Sequence, residues 1–206
     1  MNLKQGVLYA ILGIAAATIM HSAAATEIQG QQMLAALKSG GYVVYLRHAI
    51  TDTTKSDRDP VTFGDCSTQR PLSEPGRSLA RSIGQTIKTK GIRIDQVLAS
   101  PYCRAEETAA LAFPGAKMKP LPMLAYSLAM PKEQAVKAAA ELKSALAATP
   151  ATGTNTVIVG HTSNLKEAAG IWPKKEGGAV VFRPDGNGGF ALVGTIDPDV
   201  FQRAGS

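Results

Sequence analysis

Tyr42-Val43-Val44-Tyr45-Leu46-Arg47-His48-Ala49 is the stretch from which the rest of the chain can be read. From Tyr42 to Leu46 it is apolar without alternation, which marks a strand buried on both faces, as in a parallel sheet. Such a strand carries the next residues to the sheet's carboxyl edge, and here these are a cation and an imidazole, Arg47 and His48. Ligands of open α/β sheets bind at that edge.

Two more segments repeat the pattern. Gln96-Val97-Leu98-Ala99 leads into Ser100-Pro101-Tyr102-Cys103-Arg104, and Thr156-Val157-Ile158-Val159 leads into Gly160-His161. Between the strands lie helical signals. Met33, Leu34 and Leu37 recur at helical spacing over Gln29 to Lys38, before Gly40-Gly41. Ser73-Glu74-Pro75 opens a helix whose face is Leu79, Ile83 and Ile87 and which Gly91 closes. Helices are also expected from Ala105 to Leu111, from Lys132 to Ala147 with Ala135, Ala139, Leu142 and Leu146 on one side, and from Asn164 to Ala169. Ala179–Phe182 and Phe190–Val193 flank a Gly- and Asn-rich turn and read as a hairpin. The expected fold is therefore α/β, a three-layer α/β/α sandwich with a largely parallel central sheet and a C-terminal antiparallel hairpin.

The opening residues, MNLKQGVLYAILGIAAATIMHSAAATE, carry an early Lys4, an apolar run and an Ala23-Ala24-Ala25 exit. This is the pattern of a secretory signal peptide over residues 1–25, the apolar run being shorter than the ~20 residues a bilayer core requires. Cleavage would leave residues 26–206 as a single domain in a periplasmic or secreted protein, not membrane-spanning after signal cleavage. The net charge of +6 would fall to +5 with loss of Lys4. A basic surface suits anionic partners, but the lysines are scattered and do not alternate with aromatics, which argues against nucleic acid. Cys66 and Cys103, in a chain bound for an oxidising compartment, point to one disulfide, with two separate thiols as the alternative. Such a bridge would contribute about 3–4 kcal/mol in the chain-entropy model. Two cysteines so far apart show no metal-ligand spacing, so no metal and no cofactor is expected.

His48 and His161 are the only histidines after residue 25, and with Arg47 and Arg104 they stand at three strand ends. Singly each is ordinary: Arg104, for example, could pair with Glu107. Together they form a chemical set. Guanidinium groups fork onto phosphate oxygens, neutral imidazole is a competent nucleophile toward phosphorus, and a second histidine can donate to the developing charge.

The chain here resembles the histidine phosphatase superfamily, also called phosphoglycerate mutase-like. Leu46-Arg47-His48-Ala49 with Thr51, Ala99 to Ala105 with Thr108-Ala109, and Val159-Gly160-His161 are similar to its three motifs, and Leu72-Ser73 with Gly76 and Ala80 to its intervening helix. The resemblance, which runs from about Tyr42 to Phe190, implies a histidine acid phosphatase-like phosphoric monoester hydrolase. In it His48 would become phosphohistidine, Arg47 and Arg104 would bind phosphate, and His161 would complete the pocket. The family's general acid does not transfer. Thr162 follows His161, and residues 111–132 hold no acidic residue, so Asp52 and Glu176 become the candidates, ahead of Glu107 and Asp65. Arg58 and Arg70, in the long polar stretch from Thr51 to Arg70, are candidate substrate contacts. A bridge from Cys66 to Cys103 would pin that stretch over the pocket. The substrate would be a phosphorylated small molecule or an envelope glycan or lipid phosphate. A catalytically weak phosphate-ligand binding protein and a phosphomutase are the alternative readings.

Overall fold

A computed structural model describes residues 28–204; the expected signal peptide at 1–25 lies outside them. A seven-stranded sheet forms from β1 (Ile28–Gln29), β2 (Val43–Arg47), β3 (Ile94–Ala99), β4 (Met118–Pro120), β5 (Asn155–Gly160), β6 (Ala179–Pro184) and β7 (Phe190–Ile196). Its order is β1-β7-β6-β2-β5-β3-β4. Every pairing is parallel except β2 with β6 and β6 with β7. The α/β fold, the largely parallel sheet and the C-terminal hairpin are thus as the sequence predicts.

The layers follow from the two-residue period of a strand. In β2, Val44 and Leu46 face a core built with α1 (Gln31–Ala36), α2 (Glu74–Thr89), α3 (Cys103–Ala112) and α6 (Pro198–Ala204). Val43 and Tyr45 face the opposite core, which includes Leu142 and Leu146 of α4 (Lys132–Ala147) and Leu165 of α5 (Thr162–Ala169). Each fully buried aliphatic chain contributes roughly 1.5–3 kcal/mol, and removing one from β2 would loosen both the sheet and the strand that ends in His48.

Helix α2 shows how local chemistry sets the boundaries. Ser73 accepts a hydrogen bond from the Gly76 amide, 3.2 Å, at its start. At its end Gly91 takes a φ of 66°, donating to Lys88, while Ile92 donates to Ile87. That pair of bonds is a Schellman closure. Three elements depart from the sequence reading. The first helix begins at Gln31 rather than Gln29, because Ile28 and Gln29 extend along β7. Strand β4 has no apolar pattern, all three of its residues being exposed at the sheet edge. Helix α6 is held by burial of Val200 and Phe201 and by the Thr86 hydroxyl, which donates to the Phe201 carbonyl.

Candidate active site

Strands β2, β5 and β3 lie side by side and run the same way, with Arg47 beside Gly160 and Ala99 beside Val159. The ladder continues one step beyond the strands: the His48 amide donates to Gly160 and the Ser100 amide to Val159. Backbone register alone therefore brings His48, His161 and Ser100 together. The two imidazoles stand with ring centroids 5.2 Å apart. Gly160 is required here, because a Cβ at this position would collide with the Tyr45 hydroxyl, which donates to the His161 carbonyl.

His48, His161 and Arg47 border a cavity of about 350 Å³ whose lining also includes Arg70, Arg104, Asp57, Tyr126 and Trp172. Arg104 comes from the first turn of α3 and Thr162 opens α5, so two helix starts border the cavity. Arg47 and Arg104 keep their charge although burial lowers both from their ordinary values.

His48 is buried, and its Nδ1 lies 2.9 Å from the Ala49 carbonyl. A carbonyl only accepts, so Nδ1 carries the proton and Nε2 the free lone pair. Burial, with Arg104, Arg47 and Arg70 nearby, pushes the imidazole down to about 3, so it is neutral across the physiological range. Burial, then His48 and the same arginines, also hold His161 well below its ordinary value. Its Nε2 meets the Ser100 hydroxyl at 2.8 Å. Ser100 Oγ already accepts from the Tyr102 amide and has no other acceptor for its own proton among the described residues, so it donates to Nε2. The His161 proton is then on Nδ1, which is buried and has no partner within the described residues. The Nε groups of Arg47, Arg70 and Arg104 are in the same condition. Three arginines and a histidine lining one cavity, each carrying a buried donor without a partner among the described residues, suit an anion with several acceptor oxygens.

The structure distributes the other predicted residues differently. Glu176 does not line the cavity. It sits behind Arg47, 3.4 Å from Nη2, and accepts from the Thr51 amide and hydroxyl at 3.1 and 3.0 Å. The adjacent Gly177, at φ 76°, donates to the His48 carbonyl. Asp52 also lies off the cavity: Thr54 donates to it from hydroxyl and amide, and these bonds hold its carboxyl below the usual range. Neither carboxylate therefore stands where a leaving oxygen would be protonated. Glu107 pairs with Arg77 at 2.6 Å, and Asp65 caps the turn at Ser67. Arg70 reaches the cavity and Arg58 borders a neighbouring groove.

Asp57 is the residue that sequence reading missed. It holds Arg104 Nη1 at 2.9 and 3.2 Å and accepts from the Arg70 amide at 2.8 Å. Nothing in the local pattern of the 51–70 stretch singles it out from Asp52, Asp59 or Asp65; its importance comes from how that stretch is anchored. Cys66 and Cys103 form a disulfide next to Arg104, and Gln69 accepts from the Cys103 amide.

Residues 43–125 match the family model described as histidine phosphatase superfamily (branch 1), a different branch from the acid phosphatases that the sequence resemblance implies. No curated protein matches the chain. Among solved structures, the protein histidine phosphatase SixA complexed with tungstate is 19% identical with a TM-score of 0.54, the match covering 77% of this chain and 97% of that one. A phosphoserine phosphatase mutant from Entamoeba histolytica, in complex with phosphoserine, is 15% identical with a TM-score of 0.56, covering 77% and 98%. At such identity these two likenesses speak for the fold alone. The sequence match runs across β2, the 51–70 stretch, α2, β3 and α3, and over that part the chain is similar to the histidine phosphatase superfamily, branch 1.

Proposed function

We propose that the protein is an exported phosphomonoesterase that passes a phosphoryl group through His48 to water. The observation that carries this reading is a neutral imidazole with its proton fixed on Nδ1, set among three arginines and His161, all lining one cavity. In the first step the Nε2 lone pair bonds to phosphorus while the ester P–O bond breaks and its electron pair leaves with the alcohol oxygen. In the second a water oxygen bonds to phosphorus as the P–N pair returns to Nε2, and the proton that water gives up to solvent balances the one the alkoxide takes from it. The Ala49 carbonyl keeps its hydrogen bond to Nδ1–H and stabilises the ring while it is phosphorylated. Arg47, Arg70, Arg104 and His161 Nδ1–H would bear the charge on the non-bridging oxygens.

Export rests on the leader at residues 1–25 and on the Cys66–Cys103 bond, of a kind that persists in oxidising compartments. A periplasmic or secreted enzyme would meet phosphorylated small molecules or envelope glycan and lipid phosphates. Asp57 on Arg104 favours a second reading, a binding protein whose phosphate site is partly self-occupied. The deciding experiment incubates the chain from residue 26 with an aryl phosphate, traps acid-labile phosphohistidine, and repeats it with His48→Ala and Arg104→Ala. Release and label in the parent, both lost in His48→Ala, are expected. Phosphate binding without release or label would establish the binding protein instead.

A further inference from the structure

Next to the phosphate cavity lies a second hollow of about 700 Å³, and the two share Asp57 and Tyr126 at their boundary. Phe63, Tyr102, Pro122, Tyr126, Ala129 and Met130 line it, and Arg58, Asp59 and Gln134 add polar groups to the same lining. Phe63 is 52% exposed, so its ring is open to solvent on one side of the hollow. The rings form a continuous series: Phe63 meets Tyr102 edge-on at 5.4 Å, Tyr102 meets His161 at 5.1 Å, and Tyr126 meets His161 at 5.6 Å. The aromatic wall thus runs from solvent to a ring at the phosphate cavity. Two anchors keep Phe63 in place. The Cys66–Cys103 bond ties its loop to α3, and the Gln69 amide donates to the Thr62 carbonyl at 3.0 Å while its carbonyl oxygen accepts from Cys103.

A second observation concerns protons. Asp57 is the only carboxylate lining the phosphate cavity among the described residues, and it is tied as an acceptor to Arg104 Nη1 and the Arg70 amide. Both Asp57 oxygens are thus engaged in holding Arg104 and the loop, and no other carboxylate borders the cavity among the described residues. An alcohol that leaves easily as an anion needs least help from an acid, and phenol-type oxygens, with a pKa of about 10, are of this kind.

We infer that the aromatic hollow is the leaving-group subsite, and that the substrates are phosphate monoesters of phenol-type, ring-bearing alcohols. This rests on the hydrolase reading above. The phosphate sits on the arginines, the ester oxygen at Asp57 and Tyr126, and the ring against Tyr102, Met130 and Phe63. Stacked or edge-on contacts with these side chains would hold it.

The test compares 2-naphthyl phosphate with phenyl phosphate, whose leaving groups have similar acidity but differ in the area offered to the hollow. In the parent, kcat/KM for the naphthyl ester is expected to exceed that for the phenyl ester by about tenfold. Ala129→Trp fills the hollow and Met130→Ala strips its wall, so each brings the ratio toward one. Glycerol 2-phosphate, a poor and polar leaving group, is turned over at least about a hundredfold more slowly than either aryl ester. A parental ratio near one, a ratio unmoved by both variants, or glycerol phosphate turned over as fast as the aryl esters overturns the inference. If no ester labels His48, it is the hydrolase reading that fails.

Discussion

His48 and His161 reach the phosphate cavity from strand ends whose backbone pairing fixes them, whereas Asp57 and Arg70 reach it from the 51–70 stretch, held by a disulfide and side-chain bonds. The first region is deeply buried, and its geometry follows from strand order and register. The second is largely exposed, contains little regular structure beyond a short turn at 66–68, and owes its position to a few contacts with α3. The difference separates two tasks. Register positions the chemistry to within the tolerance of a β-ladder, and a stapled loop supplies groups that can vary without disturbing the sheet.

The largest effect should come from the strand-end floor. His48→Ala is expected to lower kcat/KM by at least about 10³-fold with little change in melting temperature, since a group acting as nucleophile has no substitute. Residual turnover within tenfold of the parent would remove His48 from the mechanism. The loop should respond in the opposite sense, through stability and activity together. Changing both Cys66 and Cys103 to Ser would cost about 3–4 kcal/mol, the loop-closure value for a separation of 37 residues. With the loop freed, Asp57 and Arg70 leave the cavity and kcat/KM falls by about tenfold or more. If the doubly substituted protein melts earlier but turns over at the parental rate, the loop does not build the site.

The same division decides what the sequence can reveal. Tyr42 to His48 announces its strand and its cargo because a doubly buried parallel strand must be apolar throughout, and three such strands in one sheet bring their termini to one edge. His48, Arg47, Arg104 and His161 were legible for that reason. Asp57 was not, because the loop carries four aspartates in similar polar settings and only the Cys66–Cys103 anchor selects one of them. Glu176 was visible as a carboxylate in the Gly-rich loop before the terminal hairpin, but its orientation behind Arg47 depends on the Gly177 bond to His48, a contact more than a hundred residues apart. Strand β4 and helix α6 escaped notice because one is exposed throughout and the other is anchored, among its described side chains, by Val200 and Phe201.

An intermediate effect should appear in the acid dependence of stability. His48 is held down to about 3 in the folded chain, mainly by burial, against about 6.5 when unfolded. Between those values the unfolded state binds a proton that the folded state does not, so stability falls as pH drops from about 6.5 toward 3. Above 6.5 the ring is neutral in both states and contributes no slope. Urea midpoints between pH 7 and 4 should thus decline less steeply for His48→Gln than for the parent. Equal slopes would mean that the buried ring contributes nothing to acid unfolding.

The smallest effect distinguishes floor from loop at a single guanidinium. Arg104 receives its neighbour Asp57 from the loop, and a phosphate dianion must compete with that carboxylate for the same donors. Asp57→Asn keeps the side chain's size but removes the charge, so inorganic phosphate should inhibit the variant at a concentration a few-fold lower than the parent. Thermal stability should drop modestly at the same time, because a buried arginine loses its charged partner until phosphate replaces it. Adding phosphate should then raise the melting temperature of Asp57→Asn by more than it raises that of the parent. The opposite ordering would show that Asp57 helps to hold the anion rather than competing with it, and would move the residue from placeholder to ligand.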